Sequence, residues 1–262
     1  MMNTTMKIIK YELFDVLRNK WLIGYALFFL LATDTLFRFG GGGAKVVLSF
    51  MNIMLFVIPL VCLIFSLMYI YNAREFIELL LSQPIRRSTL FRGMYFGLSA
   101  PLALGYLFGV GVPFLLHDNG AHLASLIMLL LSGVLLTFVF TALAFQIAAW
   151  QVDRAKGFGA ALLAWLVFAV LYDGAILIIS FTFADYPLEK PMLVLTMLNP
   201  IDLARILILL KSDFAALMGY TGAVFQHFFG SELGVVLALT VLAGWAIAPF
   251  WLGARFFRKR DF

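Results

Sequence analysis

The stretch Arg74-Glu75-Phe76-Ile77-Glu78-Leu79-Leu80-Leu81-Ser82-Gln83-Pro84-Ile85-Arg86-Arg87 lies between two long apolar runs and is too short and too charged to cross a membrane. Glu75, Glu78 and Ser82 fall at i, i+3 and i+7 on one helical face. Phe76/Leu80 and Ile77/Leu81 form i, i+4 apolar pairs on the other. This spacing predicts a helix over residues 74–83, stopped by Pro84. With about two and a half turns and a membrane span at each end, such a helix is stiff enough to pass a push from a soluble partner into the membrane.

The flanking sequence places that helix in a membrane protein. The chain is 63% hydrophobic and 13% charged, with a mean hydropathy of +1.01. Soluble chains average roughly 45–50% apolar and about 25% charged residues. Six low-charge runs are long enough to span a bilayer: residues 21–37, 46–71, 94–116, 123–150, 158–183 and 233–257. They are continuous and do not alternate, which predicts helices and excludes a barrel.

Lys and Arg placement gives the orientation. With the N-terminus cytoplasmic, Lys7, Lys10, Arg18, Lys20, Arg74, Arg86, Arg87, Arg92, Arg154, Lys156, Arg255, Arg258, Lys259 and Arg260 all fall inside. Only Arg38, Lys45, Lys190, Arg205 and Lys211 fall outside, as the positive-inside rule requires, and an even number of spans returns the C-terminus to the cytoplasm. The net charge of +5 therefore reads as topology and not as affinity for nucleic acid. Residues 1–20 lack the apolar core of a signal peptide. Ile9, Leu13, Val16 and Leu17 form one stripe against Lys7, Lys10 and Arg18, which predicts a helix lying flat at the headgroups, with Trp21 as its anchor.

Catalytic chemistry is poorly supported. The single cysteine, Cys62, sits inside the second span and reads as a small buried apolar residue, with no disulfide or cysteine-based metal site. Gly40-Gly41-Gly42-Gly43-Ala44-Lys45 lacks the Ser/Thr and the preceding strand of a phosphate loop and reads as a flexible turn. The chain is therefore expected to carry no nucleotide site and no catalytic motif of its own, so that ATP and magnesium, if used, bind another subunit. His117, Asp118 and His122 share one outer loop and Met192, Met197 and Met218 another. Imidazole and thioether groups suit copper, but this spacing matches no defined site, and no metal site is expected on this chain.

Asp173 reads as the one acidic residue deep in a span. Inserting it ionised costs about 2.5–3.5 kcal/mol, so it is a candidate functional residue, with Gln146 and Thr141 of the fourth span as candidate partners. The outer region 184–232 is too long for a simple turn. Within it, Asn199 is placed to cap a helix that has Pro200 in its first position and Asp202 in its first turn. Asp202 and Arg205 are spaced to pair, and Leu203, Ile206, Leu207 and Leu210 form an apolar face. Asn199, Pro200, Asp202 and Arg205, with the loop aromatics Phe214, Phe225, Phe228 and Phe229, are candidates for docking a periplasmic partner; a simple cap on the bundle is the competing reading.

The Glu75–Arg87 stretch resembles the first cytoplasmic loop of ABC-2 type transporter permeases, in which an acidic, leucine-rich helix ends in a proline followed by basic residues. Lys10-Tyr11-Glu12-Leu13 and Leu17-Arg18-Asn19-Lys20-Trp21 resemble the same family's amphipathic elbow helix. One departure is Phe76-Ile77, where the family often carries Gly-Thr. Asp173, Leu198-Asn199-Pro200-Ile201-Asp202-Leu203-Ala204-Arg205 and the basic Phe257-Arg258-Lys259-Arg260 are similar to the permease subunits that serve maturation of nitrous oxide reductase.

The resemblance implies an all-α membrane protein of the ABC-2, or type V exporter, kind. It would form one permease domain over residues 1–262, with an elbow helix at 1–20, six transmembrane helices, a cytoplasmic coupling helix at 74–83 and periplasmic surface helices within 184–232. It further implies a bacterial inner-membrane homodimer with two cytoplasmic ATPase subunits and a periplasmic copper-handling partner, coupling ATP hydrolysis to assembly of a copper-sulfur site. Arg74, Glu75, Phe76, Glu78, Leu80, Arg86 and Arg87 are the expected ATPase contacts, with Arg154 and Lys156 as further ones. Export of a hydrophobic or sulfur-containing compound is the alternative within this class. An autonomous secondary transporter is the alternative outside it, for which Pro59 and Pro101 are candidate helix breaks.

Overall fold

A backbone in hydrocarbon has no water to bond, so each apolar run satisfies its N–H and C=O groups internally as a helix. The computed structural model describes residues 16, 19–40, 43–82, 85–117, 123–183, 186, 189–210 and 232–259, and among them there are helices and no strands. The helices are α1 (Lys20–Phe39), α2 (Gly43–Asn72), α3 (Arg74–Leu81), α4 (Arg87–His117), α5 (Leu123–Trp150), α6 (Arg154–Thr182), α7 (Glu189–Met197), α8 (Pro200–Leu210) and α9 (Glu232–Lys259). Six of them, α1, α2, α4, α5, α6 and α9, are long and apolar enough to cross a bilayer. Most of the expected elbow helix lies outside the described residues, as do Asp118, His122, Met218 and the aromatics Phe214, Phe225, Phe228 and Phe229.

α5 is the central helix; α2, α4, α6, α8 and α9 all pack against it. It is apolar all round, as a helix surrounded by other helices must be. Lipid tails are as apolar as leucine, so burial alone does not hold such a bundle, and close packing and interhelical hydrogen bonds do. Tyr106 of α4 illustrates both. Its hydroxyl donates to Leu129 O of α5 at 2.8 Å and contacts Met54 Sδ of α2 at 2.9 Å. Its ring lies so close to Gly133 that a Cβ there would collide with it. Tyr95, about three turns nearer the start of α4, repeats the pattern, donating to Phe138 O at 3.0 Å. Each such bond contributes about 0.6–2 kcal/mol in a membrane.

The prolines do not break these helices. Pro59 lies inside α2, Pro101 and Pro113 inside α4, and Pro249 inside α9. α6 is the irregular span: Val167–Leu171 forms a π-helical turn, in which the Tyr172 N–H reaches Val167 O, five residues back. No residue in the most apolar stretch of α6 is buried within the chain, whereas more than half of the corresponding stretches of α4 and α5 are.

Between α6 and α9 the chain turns back on itself. The axes of α7 and α8 meet at 110°, a bend too sharp for one straight span. α8 is the more enclosed of the two, with Ile201, Leu203, Ala204, Ile206, Leu207 and Ile208 buried against α2, α5 and α9.

Candidate functional site

Two polar assemblies stand out in the bundle. The first surrounds α3. Its first-turn Glu75 complements the positive helix N-terminus, and Ser82 Oγ closes its C-terminus on Leu79 O at 2.7 Å. Ile77 is buried, and Leu80 and Leu81 pack against the core. Glu75, Glu78 and Ser82 are exposed, as their spacing predicts. Phe76 and Leu79 also turn outward, 41% and 68% exposed, so the outer face alternates carboxylates with large apolar groups.

The connection between α5 and α6 lies directly beside this helix. Arg74 Nη1 donates to Val152 O at 3.4 Å and Tyr71 Oη to Gln151 O at 3.1 Å, and Arg154 donates to Asn72 Oδ1. Asp153 caps α6, its Oδ1 accepting from Ala155 N at 2.8 Å and Lys156 N at 3.4 Å. Gly157 follows with no side chain because the Tyr71 hydroxyl occupies the place of its Cβ. Arg87 Nη1 donates to Arg258 O at 3.2 Å, so the end of α9 lies at this same face. Arg74, Glu75, Phe76, Glu78, Leu80, Arg87, Arg154 and Lys156 are thus gathered at one end of the bundle, with Arg86 and Lys156 exposed.

Midway along α6, α8 grips its π-turn. Asn199 Oδ1 accepts from Ile201 N at 3.0 Å, the cap its position predicts, and its Nδ2 donates to Phe168 O at 2.9 Å and to Asp202 Oδ2 at 3.1 Å. Arg205 lies between two carboxylates, with Nη1 on Asp202 Oδ1 at 2.9 Å and Nη2 on Asp173 Oδ2 at 3.0 Å. Tyr172 Oη donates to Leu195 O at 2.5 Å and Trp245 Nε1 of α9 to Met197 O at 3.1 Å, which fix α7 as well. Asp202, outside the six spans, is 6% exposed. Burial, together with the neighbouring Asp173, pushes its carboxyl up to about 7 against the opposing pull of Arg205.

One expectation from spacing changes here. Asp173 pairs with Arg205 of the hairpin and not with Gln146 or Thr141 of α5, because the bent hairpin carries the Arg205 cation back to α6. Gln146 instead lies against α9, where its backbone approaches Gly253. Asn199, Pro200 and Asp202 are buried within the chain and Arg205 is half-buried.

A further acid was missed by sequence reasoning. Asp34, late in α1, pairs with Arg38 at 2.7 Å and faces His117 Nε2 at 3.6 Å, while the His117 ring stacks on Phe37 and its Nδ1 meets Pro113 O at 3.0 Å. The i, i+4 spacing of Asp34 and Arg38 was the available signal. Met192 and Met197 lie on α7 and His117 ends α4. Among the described residues no three His, Cys, Asp or Glu side chains converge as metal ligands would.

A six-span helical bundle with a short, partly acidic helix bonded to a neighbouring loop is the architecture of a polytopic membrane protein. The chain matches the ABC-2 family transporter protein family over residues 6–262 and belongs to that family. It is therefore the permease subunit of an ABC transporter, which works with a cytoplasmic ATPase. Its relatives include the probable ABC transporter permease protein NosY of Pseudomonas aeruginosa, 30% identical with 97% of each chain covered. The protein of the same name from Stutzerimonas stutzeri is 27% identical, with 99% of each chain covered.

Proposed function

We propose that this chain is the permease of a transporter that assists maturation of the copper-sulfur site of nitrous oxide reductase. Two copies associate in the bacterial inner membrane, with both termini cytoplasmic, and each takes one cytoplasmic ATPase subunit. The observation that carries the coupling part of this reading is the set of hydrogen bonds from Tyr71, Arg74 and Arg154 that ties the end of α2 and the start of α3 to the α5–α6 connection and the first turn of α6. ATP and magnesium remain on the ATPase, which docks on the exposed Glu75, Phe76, Glu78 and Leu79 with Arg86, Arg154 and Lys156 around them.

α6 then serves as the lever. Its first turn is bonded to the neighbourhood of α3, its π-turn is bonded to the α7–α8 hairpin, and the apolar face between them is unburied within one copy. That face suits a second copy or lipid, and the dimer is the reading adopted here. Movement of α3 reaches the hairpin through α6, and the hairpin signals to a periplasmic copper-handling partner. The spans carry few charged groups, which favours this mechanical role over bulk ion transport. The full-length similarity to the NosY relatives supports the choice of pathway.

The test is deletion and complementation. Cells lacking this chain are expected to make reductase without its copper-sulfur site, and expression of the chain to restore it. Fully matured reductase in the deletion strain would reject the pathway, and loss of an unrelated exported compound would favour a general exporter.

A further inference from the structure

The Asn199–Asp202–Arg205–Asp173 cluster joins the α7–α8 hairpin to α6, alongside the Tyr172–Leu195 hydrogen bond. α8 contributes Asp202 and Arg205, its cap contributes Asn199, and α6 contributes Asp173 and the Phe168 carbonyl. Two carboxylates share one guanidinium, so with both ionised the cluster carries one net negative charge in a largely enclosed place. Binding one proton makes the cluster neutral and leaves Arg205 free to serve Asp173 fully. Burial penalises the charged form, so the docked arrangement favours the proton and the separated arrangement favours its release.

We propose that this cluster is a proton-binding latch, with Asp202 as the proton-binding group, that holds the α7–α8 hairpin onto the π-turn of α6 and releases it when the proton leaves. This goes beyond the maturation reading and does not depend on it.

Asp202 is the member to which the geometry gives the proton, since it is the more enclosed carboxylate, while Asp173 is 37% exposed and directly paired. The groups bearing on it are Arg205 on its own helix and Asp173 and Tyr172 on α6. α5, which packs on α8, has no acid or base, and residues 191–197 of α7 have none. The described cations of α9 are Arg255, Arg258 and Lys259 near its C-terminal end, and the one charged residue of α2 is Lys45 near its start. The carboxyl of Asp202, raised to about 7, places the transition near neutrality. The sign follows from linkage: a carboxyl that binds its proton more tightly when docked stabilises docking at low pH and loses that contribution as pH rises towards and through 7.

The test is a spin-label distance measurement on the full-length chain in lipid nanodiscs. Labels are placed at the exposed positions Phe181 of α6, beyond the π-turn, and Val194 of α7, in a Cys62→Ala background, with labelled chain diluted into unlabelled chain so that only distances within one copy are read. The expected result is a single short distance at pH 6 and a second, longer population at pH 8 that is at least threefold more abundant than at pH 6. Asp202→Asn, which fixes the neutral form and keeps a hydrogen-bonding side chain, is expected to show the short distance alone at both pH values. Identical distributions at pH 6 and pH 8 in the otherwise unaltered chain would overturn the proposal. A pH response retained in Asp202→Asn would overturn it as well.

Discussion

Arg205 Nη2 of α8 donates to Asp173 Oδ2 of α6 across 3.0 Å, closing a contact between residues 32 apart in the chain. That pair accounts for an intramembrane carboxylate that would otherwise be costly, and it fixes the hairpin to the one span that is irregular. Removing the guanidinium leaves Asp202 buried beside a second carboxylate. Arg205→Ala is therefore expected to destabilise the protein by about 2–3 kcal/mol, read as a lowered thermal midpoint in detergent. A double-mutant cycle of Asp173→Asn with Arg205→Gln is expected to show a coupling above about 0.5 kcal/mol; strict additivity would mean the pair is not energetically joined.

Stability is expected to depend on pH through Asp202. The folded-state carboxyl is raised to about 7 from an ordinary value near 3.8, so the native state binds the extra proton and stability falls as pH rises between those values, with little change above them. Relative to Asp202→Asn, the native sequence should lose about 2 kcal/mol between pH 5.5 and 7.5. Thermal unfolding of both proteins across that range checks it, and parallel curves would remove Asp202 as the titrating group.

Gly157→Ala places a methyl where the Tyr71 hydroxyl sits. It should displace the α5–α6 connection from α3 without touching the exposed face of α3. The expected outcome is normal membrane insertion with ATPase association weakened about tenfold, or about 1.4 kcal/mol, measured by titration of the ATPase onto the purified permease. Tyr71→Phe in the Gly157→Ala background relieves part of the clash and should recover part of the loss.

Charge reversal of Glu75 and Glu78 acts on the face itself. Both are exposed and flank Phe76 and Leu79, so Glu75→Lys with Glu78→Lys should reduce ATPase co-purification and the ATP turnover of the complex while leaving insertion intact. Unchanged binding would move the docking surface elsewhere.

The spans were readable because hydrocarbon imposes one solution on a long apolar run, and the observed bounds of α5, Leu123–Trp150, coincide with the apolar run itself. The Asn199 cap and the Asp202–Arg205 pair were readable because both are local, two and three residues apart. The Asp173–Arg205 contact was not, since it depends on a 110° bend between α7 and α8 that no short-range spacing encodes. The π-turn of α6 has no composition signal in Val167-Phe168-Ala169-Val170-Leu171; its partner, the Asn199 amide, comes from 31 residues further along the chain. On α3 the carboxylate face was readable, whereas the outward turn of Phe76 was not, because the approach of the α5–α6 connection decides which apolar side chains the bundle covers.

The most direct test of the account is affinity purification of this chain from its native membrane in mild detergent, with identification of every protein that stays bound. The account predicts a cytoplasmic ATPase in equal amount, two permease copies per complex, and a periplasmic copper-handling protein that is lost when α8 is released by Arg205→Ala. Recovery of the permease with neither an ATPase nor a periplasmic protein would contradict it.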